Sequence, residues 1–205
     1  MNFKSFLFVS LLLLTTILNA QTEGSGSKSS SLTLGFQGGA NVSKFQTELD
    51  STDVSARIGW QCGMTLRYGS TFFIQGNLEL GQSSVELVTP DTALINVQSK
   101  VYRTFMSVPV MLGYKVFKSD DGSSSVRLMA GMEASAILNT KVDENLVYIE
   151  KDDFEPYSVY AIGGIGMDLW FLRLDLGLHY GLTPMIQGDE TSKNVMGTFN
   201  IGFTF

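Results

Sequence analysis

The chain of 205 residues contains one histidine, His179. An imidazole beside a serine hydroxyl and a carboxylate is the set that hydrolyses acyl esters, so His179 is the first residue to weigh as a catalytic base. Its setting argues for a quieter role. It lies in Leu174-Asp175-Leu176-Gly177-Leu178-His179-Tyr180-Gly181-Leu182, where apolar residues alternate with polar or small ones. His179 therefore shares the polar face of a strand, where a satisfied hydrogen bond is expected. Cys62 is the single cysteine and cannot close an internal disulfide, and no Cys/His cluster has the spacing of a zinc site. It shares the parity of Trp60 and Met64, so an inert thiol on an apolar face is expected. No cofactor motif is present.

Other charged residues recur on the same polar parity as His179: Arg57, Arg67, Glu79, Arg103, Lys115, Arg127, Glu133, Asp168, Arg173 and Asp175. Isolated buried charges are expensive, so these are expected to pair inside the fold as a structural network. Glu79 with Arg103, and Asp168 with Arg173, are the expected cross-strand partners. A second acidic set clusters between the alternating segments, among them Glu48, Asp50, Glu86, Asp143, Glu144 and Asp189. It reads as a solvated rim. The run Glu150-Lys151-Asp152-Asp153-Phe154-Glu155 could attract a divalent cation bridging lipopolysaccharide phosphates, but its spacing matches no Ca²⁺ loop. The formal net charge of −6 excludes nucleic-acid binding through a basic groove.

The elements that must position these residues are strands. From Val54 to Tyr68 every second residue is apolar, and Ser55, Arg57, Gly59, Gln61, Gly63, Thr65 and Arg67 fill the alternate places. A period of two gathers one set on one sheet face. The same reading predicts eight strands, at Leu32–Val42, Val54–Tyr68, Thr71–Val85, Val97–Val116, Ser125–Leu138, Tyr157–Leu169, Leu172–Leu182 and Val195–Phe205. Connections alternate between short turns, at Gly69-Ser70, Lys118–Ser124 and Trp170-Phe171, and long loops. An even number of strands with short turns at one end and long loops at the other is the pattern of an up-and-down transmembrane barrel. Only 17% of residues are charged, below the ~25% of soluble domains.

The apolar set cannot fill the narrow lumen of an eight-stranded barrel, whereas the Gly-rich polar set can. The Leu/Phe/Val face is therefore expected to meet lipid, in an all-β, eight-stranded antiparallel barrel with a polar, side-chain-filled lumen. A soluble lipocalin-type barrel would reverse the faces. Tyr102, Tyr157 and Tyr180 near the loop ends, with Tyr68, Phe72, Tyr114 and Phe205 near the turn ends, are expected to form two interfacial aromatic girdles. Ahead of the barrel, Met1–Lys4, the apolar run Phe6–Leu14 and Leu18-Asn19-Ala20 read as a signal peptide over residues 1–20, too short to span a bilayer as a helix. Residues 21–31 are expected to be a flexible periplasmic tail, and 32–205 the barrel.

Several strands resemble the PorT-like outer-membrane β-barrel family of Bacteroidota. Phe105-Met106-Ser107-Val108-Pro109-Val110-Met111-Leu112-Gly113-Tyr114 is similar to that family's "I-P-L-L-L-x-Y" strand. Gly131–Leu138, Gly163–Leu169 with Leu174–Leu182, and the ending Asn200-Ile201-Gly202-Phe203-Thr204-Phe205 resemble its fifth, sixth with seventh, and last strands. Gly113 departs from it, standing where the family often has a longer polar residue. The resemblance implies an integral outer-membrane protein with no shared active site, some members being accessory parts of the type IX secretion machinery. Pro109 is expected at a bulge or edge, because it has no N–H to give a ladder.

The expected function is that of a non-enzymatic outer-membrane barrel, structural or accessory to a larger complex. Its long loops would be extracellular, and outer-membrane lipid and lipopolysaccharide would surround it. The rival readings are a lipid-modifying outer-membrane enzyme and a narrow porin-like conduit. Some eight-stranded outer-membrane enzymes hydrolyse lipid A acyl chains with a His, a Ser and a carboxylate. Such a site must face lipid, and the parity of His179 turns it inward.

Overall fold

Alternation of apolar and polar residues over 10 to 23 positions produces strands and nothing else among the described residues of the computed structural model. The structure describes residues 31–46, 53–90, 96–120, 122–142, 155–184 and 193–205. The segments read as signal peptide and tail, apart from Ser31, lie outside them, as do all of the cation-binding run except Glu155.

The strands are β1 (Ser31–Gln46), β2 (Asp53–Gly69), β3 (Phe72–Pro90), β4 (Asn96–Lys118), β5 (Ser124–Val142), β6 (Tyr157–Leu169), β7 (Leu172–Gly181) and β8 (Lys193–Thr204). Each pairs antiparallel with its neighbours, and β8 closes onto β1, giving an eight-stranded closed barrel without a free edge. The turn end is laced by backbone hydrogen bonds that run between successive connections. Lys115 donates to Thr71, Trp170 to Ser123, and Thr204 to Phe171, at 2.6–2.9 Å, while Phe205 and Leu34 exchange a pair at 2.9 and 3.1 Å. Gly69 and Gly122 take positive φ in two of these turns, and Trp170 does so in the third.

Strands β3, β4 and β5 run 19, 23 and 19 residues, whereas β7 has 10. The wall is thus tallest on the β3–β5 side at the loop end. Pro109 lies in mid-strand without a bulge. The β3–β4 ladder is interrupted where Asn77 faces Pro109 and Leu78 faces Val108, and the register is the same on both sides of the gap. The bulges of β4 fall elsewhere, between Thr104 and Phe105 and between Lys115 and Phe117. A single missing donor is absorbed as a gap of two pairs, which leaves the side-chain faces unchanged.

The faces are sorted as an outer-membrane barrel requires. Leu34, Phe36, Ile58, Trp60, Met64, Leu112, Leu176 and Phe203 stand exposed on the outer wall, with Cys62 among them. Arg67, Glu79, Arg127, Glu133 and Arg173 are buried inside. In water this arrangement would leave an apolar surface far beyond that of a soluble monomer; in a bilayer it is the solvated one.

Candidate functional site

The lumen is where the barrel concentrates its chemistry. Parity brings Arg67 (β2), Glu79 (β3), Arg127 and Glu133 (β5), Asp168 (β6), and Arg173, Asp175 and His179 (β7) together on the inner wall. Nearest the turn end, Asp168 is shared. Arg67 donates to it at 3.0 Å, Arg127 at 2.6 Å and the Ser125 hydroxyl at 2.9 Å. Arg127 also bonds Asp175, whose other oxygen lies 2.9 Å from Arg173 Nε. Two aspartates therefore serve three guanidinium groups. Lys115, half-buried and opposite Arg127 in the register, stands at the same end.

From Arg173 the contacts continue to Gln37 and, at 2.7 Å, to the Thr65 hydroxyl. Gln37 donates to Glu79 at 2.6 Å, and Asn77 donates to the same carboxylate at 2.8 Å. Gln75 donates to Asn77 at 3.2 Å and accepts from Arg67 Nε at 3.0 Å, which returns the path to Asp168. The result is a closed ring of side chains, Asp168–Arg67–Gln75–Asn77–Glu79–Gln37–Arg173–Asp175–Arg127, that ties six of the eight strands together across the lumen. Charged hydrogen bonds of this kind are among the strongest a protein makes, and removal of one member strands its partners.

Two expected pairs are corrected by this ring. Glu79 is held by two amides and not by Arg103, which lies opposite Ser83, four residues further along β3. Arg103 is buried nearer the loop end, and Arg57, opposite Ser43, is half-buried there too. Asp168 and Arg173 are opposite one another in the register, yet each turns to a different partner. The reason is Gly166. It sits between Arg127 and Asp175 in the same row of the sheet, and a Cβ there would collide with both. Without one, Arg127 reaches over β6 to Asp175 and draws the charges into a bridge between non-adjacent strands.

His179 is buried on the inner wall. Its Nδ1 lies 2.7 Å from Glu133 Oε2 and its Nε2 3.2 Å from the Thr198 hydroxyl. Carboxylate, imidazole and hydroxyl are thus in line, an order that hydrolases use. The hydroxyl opens on a lumenal cavity with about 40 Å³ of room, space for about three waters, lined also by Gln61, Asn200 and Glu79. Among the described residues the barrel wall separates this trio from the lipid-facing surface.

Aromatic residues on the inner wall close the lumen further. Phe73, opposite Gly113, packs its ring into the space where a Cβ of Gly113 would be, and Arg67 lies 4.9 Å from the ring centre. Phe105 covers Gly81 in the same way on the same strand pair. A glycine under a cross-strand aromatic ring is a recurrent device of barrel sheets. It accounts for glycine at 113, since a longer side chain there would evict Phe73. Phe73 and Phe105 share the alternate positions of Glu79 and Arg103, so parity turns both rings inward although they are apolar. Neither ring, nor any of the amides Gln37, Gln75 and Asn77, was marked by charge, although Gln75, Asn77 and Glu79 stand at successive alternate positions of β3.

Outside, Phe72, Tyr102, Tyr114, Tyr157, Tyr180 and Phe205 are exposed and Tyr68 is half-buried. Phe72 packs on Tyr114 with ring centres 4.7 Å apart, and Phe36 on Phe205 at 5.9 Å. Trp170 and Phe171, at the β6–β7 turn, extend the turn-end group, and Phe171 stacks on Phe203.

The family model for the outer membrane protein beta-barrel domain matches residues 19–187. The chain belongs to that family. Among solved structures, the outer membrane protein OprG from Pseudomonas aeruginosa aligns with a TM-score of 0.53 at 12% identity, covering 86% of this chain and 97% of that one. Ail, the attachment invasion locus protein of Yersinia pestis, in complex with the heparin analogue sucrose octasulfate, aligns at 0.48 and 10% identity over 85% and 99%. Neisserial surface protein A aligns at 0.44 and 13% identity over 87% and 100%. At these identities the likeness is one of fold. No curated protein matches the chain. Family and fold together make this an outer-membrane β-barrel protein.

Proposed function

We propose that this outer-membrane barrel is a non-enzymatic, accessory subunit of a larger transport or secretion complex, acting through its outer wall and its long loops. The observation that carries the reading is the closed ring of hydrogen bonds and ion pairs across the lumen. An interior tied between six strands, with a cavity of about 40 Å³ beside the ring, argues against entry of an acyl chain or passage of a solute. What remains for interaction is the outside. The long connections face the cell exterior and the short turns and the N-terminal tail face the periplasm, as the alternation of connection lengths in such barrels supports. The resemblance of β4 to β8 to PorT-like proteins supports an accessory role of the kind some members have in type IX secretion.

The line of Glu133, His179 and Thr198 favours a second reading, a lipid-modifying enzyme. Against it stands the burial of all three groups inside the wall, away from acyl chains. A porin-like conduit would require the ring to open. One experiment separates these readings: extraction of the native membrane in mild detergent, isolation of the tagged full-length protein, and mass spectrometry of what accompanies it. A larger outer-membrane protein recovered in fixed ratio is the expected result. Recovery of the barrel alone, together with lipid A deacylation that His179→Ala abolishes or with steady ion conductance in planar bilayers, overturns the proposal.

A further inference from the structure

The outward-facing charges on the described strand side chains are sorted by sign and by end. Among strand residues whose side chains are described, the carboxylates Glu79, Glu133, Asp168 and Asp175 all face the lumen. Among the same described side chains, the strand charges that face outward are Lys44 (β1), Lys141 (β5) and Lys193 (β8), every one a lysine at the loop end. This occurs in a chain with 20 acidic residues against 14 basic ones, so the basic collar opposes the overall composition.

Two of the three lysines form a pair. The register sets Lys44 opposite Val195 and Gln46 opposite Lys193, so Lys44 and Lys193 are diagonal neighbours on the outer face of the β8–β1 seam. Such neighbours have Cα atoms about 7–8 Å apart, within which two long ammonium-bearing side chains can close on one phosphate group. The Lys193 ammonium lies 5.9 Å from the centre of the Tyr180 ring, on the next strand. The third lysine, Lys141, stands opposite the exposed Tyr102 across the barrel. None of these lysines makes an ion pair among the described residues.

The height of the pair identifies its surroundings. On β1 the outward residues running from Lys44 toward the turn end are Val42, Ala40, Gly38, Phe36, Leu34 and Leu32; on β8, from Lys193, they are Val195, Gly197, Phe199, Ile201 and Phe203. From Lys44 to Leu32 the tilted strand rises roughly 30 Å, enough for the ~25 Å apolar band of an outer-membrane barrel. The lysines are the first outward polar groups above that band, at the level where lipid headgroups begin. At the opposite end the same two strands finish in Leu32 and Phe203, with no outward charge to receive an anion.

We propose that the β8–β1 seam binds a phosphate group of an outer-leaflet glycolipid of the lipid A class, with Lys44 and Lys193 as its cationic contacts and Tyr180 beside them. The source of the phosphate rests on the orientation proposed above; the lysine pair does not. Juxtamembrane cations each add appreciably to the binding of anionic lipid, so loss of two neighbours weakens it by about tenfold or more.

The test is native mass spectrometry of the folded full-length protein in detergent, titrated separately with bisphosphorylated lipid A, monophosphorylated lipid A and phosphatidylglycerol. Bisphosphorylated lipid A is expected to bind most tightly. The double variant Lys44→Gln/Lys193→Gln is expected to lose about tenfold in apparent affinity, while Lys118→Gln at the turn end loses nothing. The heat-modified gel band of each variant reports that the barrel is still folded. Equal binding by wild type and double variant overturns the site, as does a preference for phosphatidylglycerol. Displacement of the lipid by millimolar inorganic phosphate overturns the lipid headgroup as the ligand. Surface labelling of intact cells tests orientation separately. Reversed labelling removes the glycolipid source, whereas lost lysine dependence with normal labelling removes the site alone.

Discussion

At the scale of single residues, the barrel interior is governed by how few anions must satisfy its cations. Asp168 accepts from Arg67, Arg127 and Ser125 at once, so its removal leaves Arg67 with no carboxylate and Arg127 with Asp175 alone. Asp168→Leu is expected to destabilise the fold by about 3–5 kcal/mol, the range for breaking a buried pair from one side. The midpoint of urea unfolding, followed by the gel shift between folded and unfolded bands, measures it; an unshifted midpoint would mean that Asp168 is not shared. Gly166 works by absence. Gly166→Val places a side chain between Arg127 and Asp175 and is expected to lower stability by about 1–3 kcal/mol, as overpacking does. The companion change Gly163→Val sets the same side chain on the outer face, where nothing lies within 4 Å, and should be nearly silent. Equal effects of the two would refute the bridging role of Gly166.

At the scale of elements, β7 is the shortest strand and the cleanest test of the two faces. Its outward leucines, Leu174, Leu176 and Leu178, alternate with Arg173, Asp175, Gly177 and His179 on the lumen side. Leu176 is 55% exposed to the surroundings of the barrel. Arg at this position has to snorkel or thin the bilayer, so Leu176→Arg is expected to reduce stability by about 2–4 kcal/mol in lipid. The measurement is a denaturant titration in liposomes, with Leu176→Phe as a control that should change little. A tolerated arginine would place this face in water. The interruption of the β3–β4 ladder at Pro109 belongs to the same scale. A proline in mid-strand forfeits two pairs of the ladder and nothing more here, because the register resumes unchanged and Val110 and Leu112 still point outward.

At the scale of the whole molecule, closure and orientation decide what is available to partners. The β1–β8 pairing leaves no edge for strand addition, so contact with another protein must use the outer wall, the turns or the loops. An epitope tag inserted at residue 143, between β5 and β6, is expected to be labelled on intact cells. One inserted at Gly122, in the β4–β5 turn, is expected to be silent until the outer membrane is permeabilised. The opposite pattern would invert the barrel.

The fold class and the sorting of faces were legible in the sequence because both depend on local periodicity. A two-residue period over Val54–Tyr68 or Leu172–Leu182 forces one face apolar, and the narrowness of an eight-stranded lumen decides which face that is. The candidate network was legible only as a set of residues. Its partners were not, since Arg67 meets Asp168 across 101 residues of chain and from a non-adjacent strand, a contact no spacing encodes. Phe73 and Phe105 keep the parity of Glu79 and Arg103 and so turn inward although they are apolar. A glycine on the facing strand makes room for each ring, a fit that only the paired strands reveal. By itself the sequence determined the strands, their parity and the two ends of the barrel, all set by the period-two pattern and by connection length. Only the tertiary structure decided which charges meet, because closing the sheet brings side chains from distant strands face to face in a space too narrow to leave any of them alone.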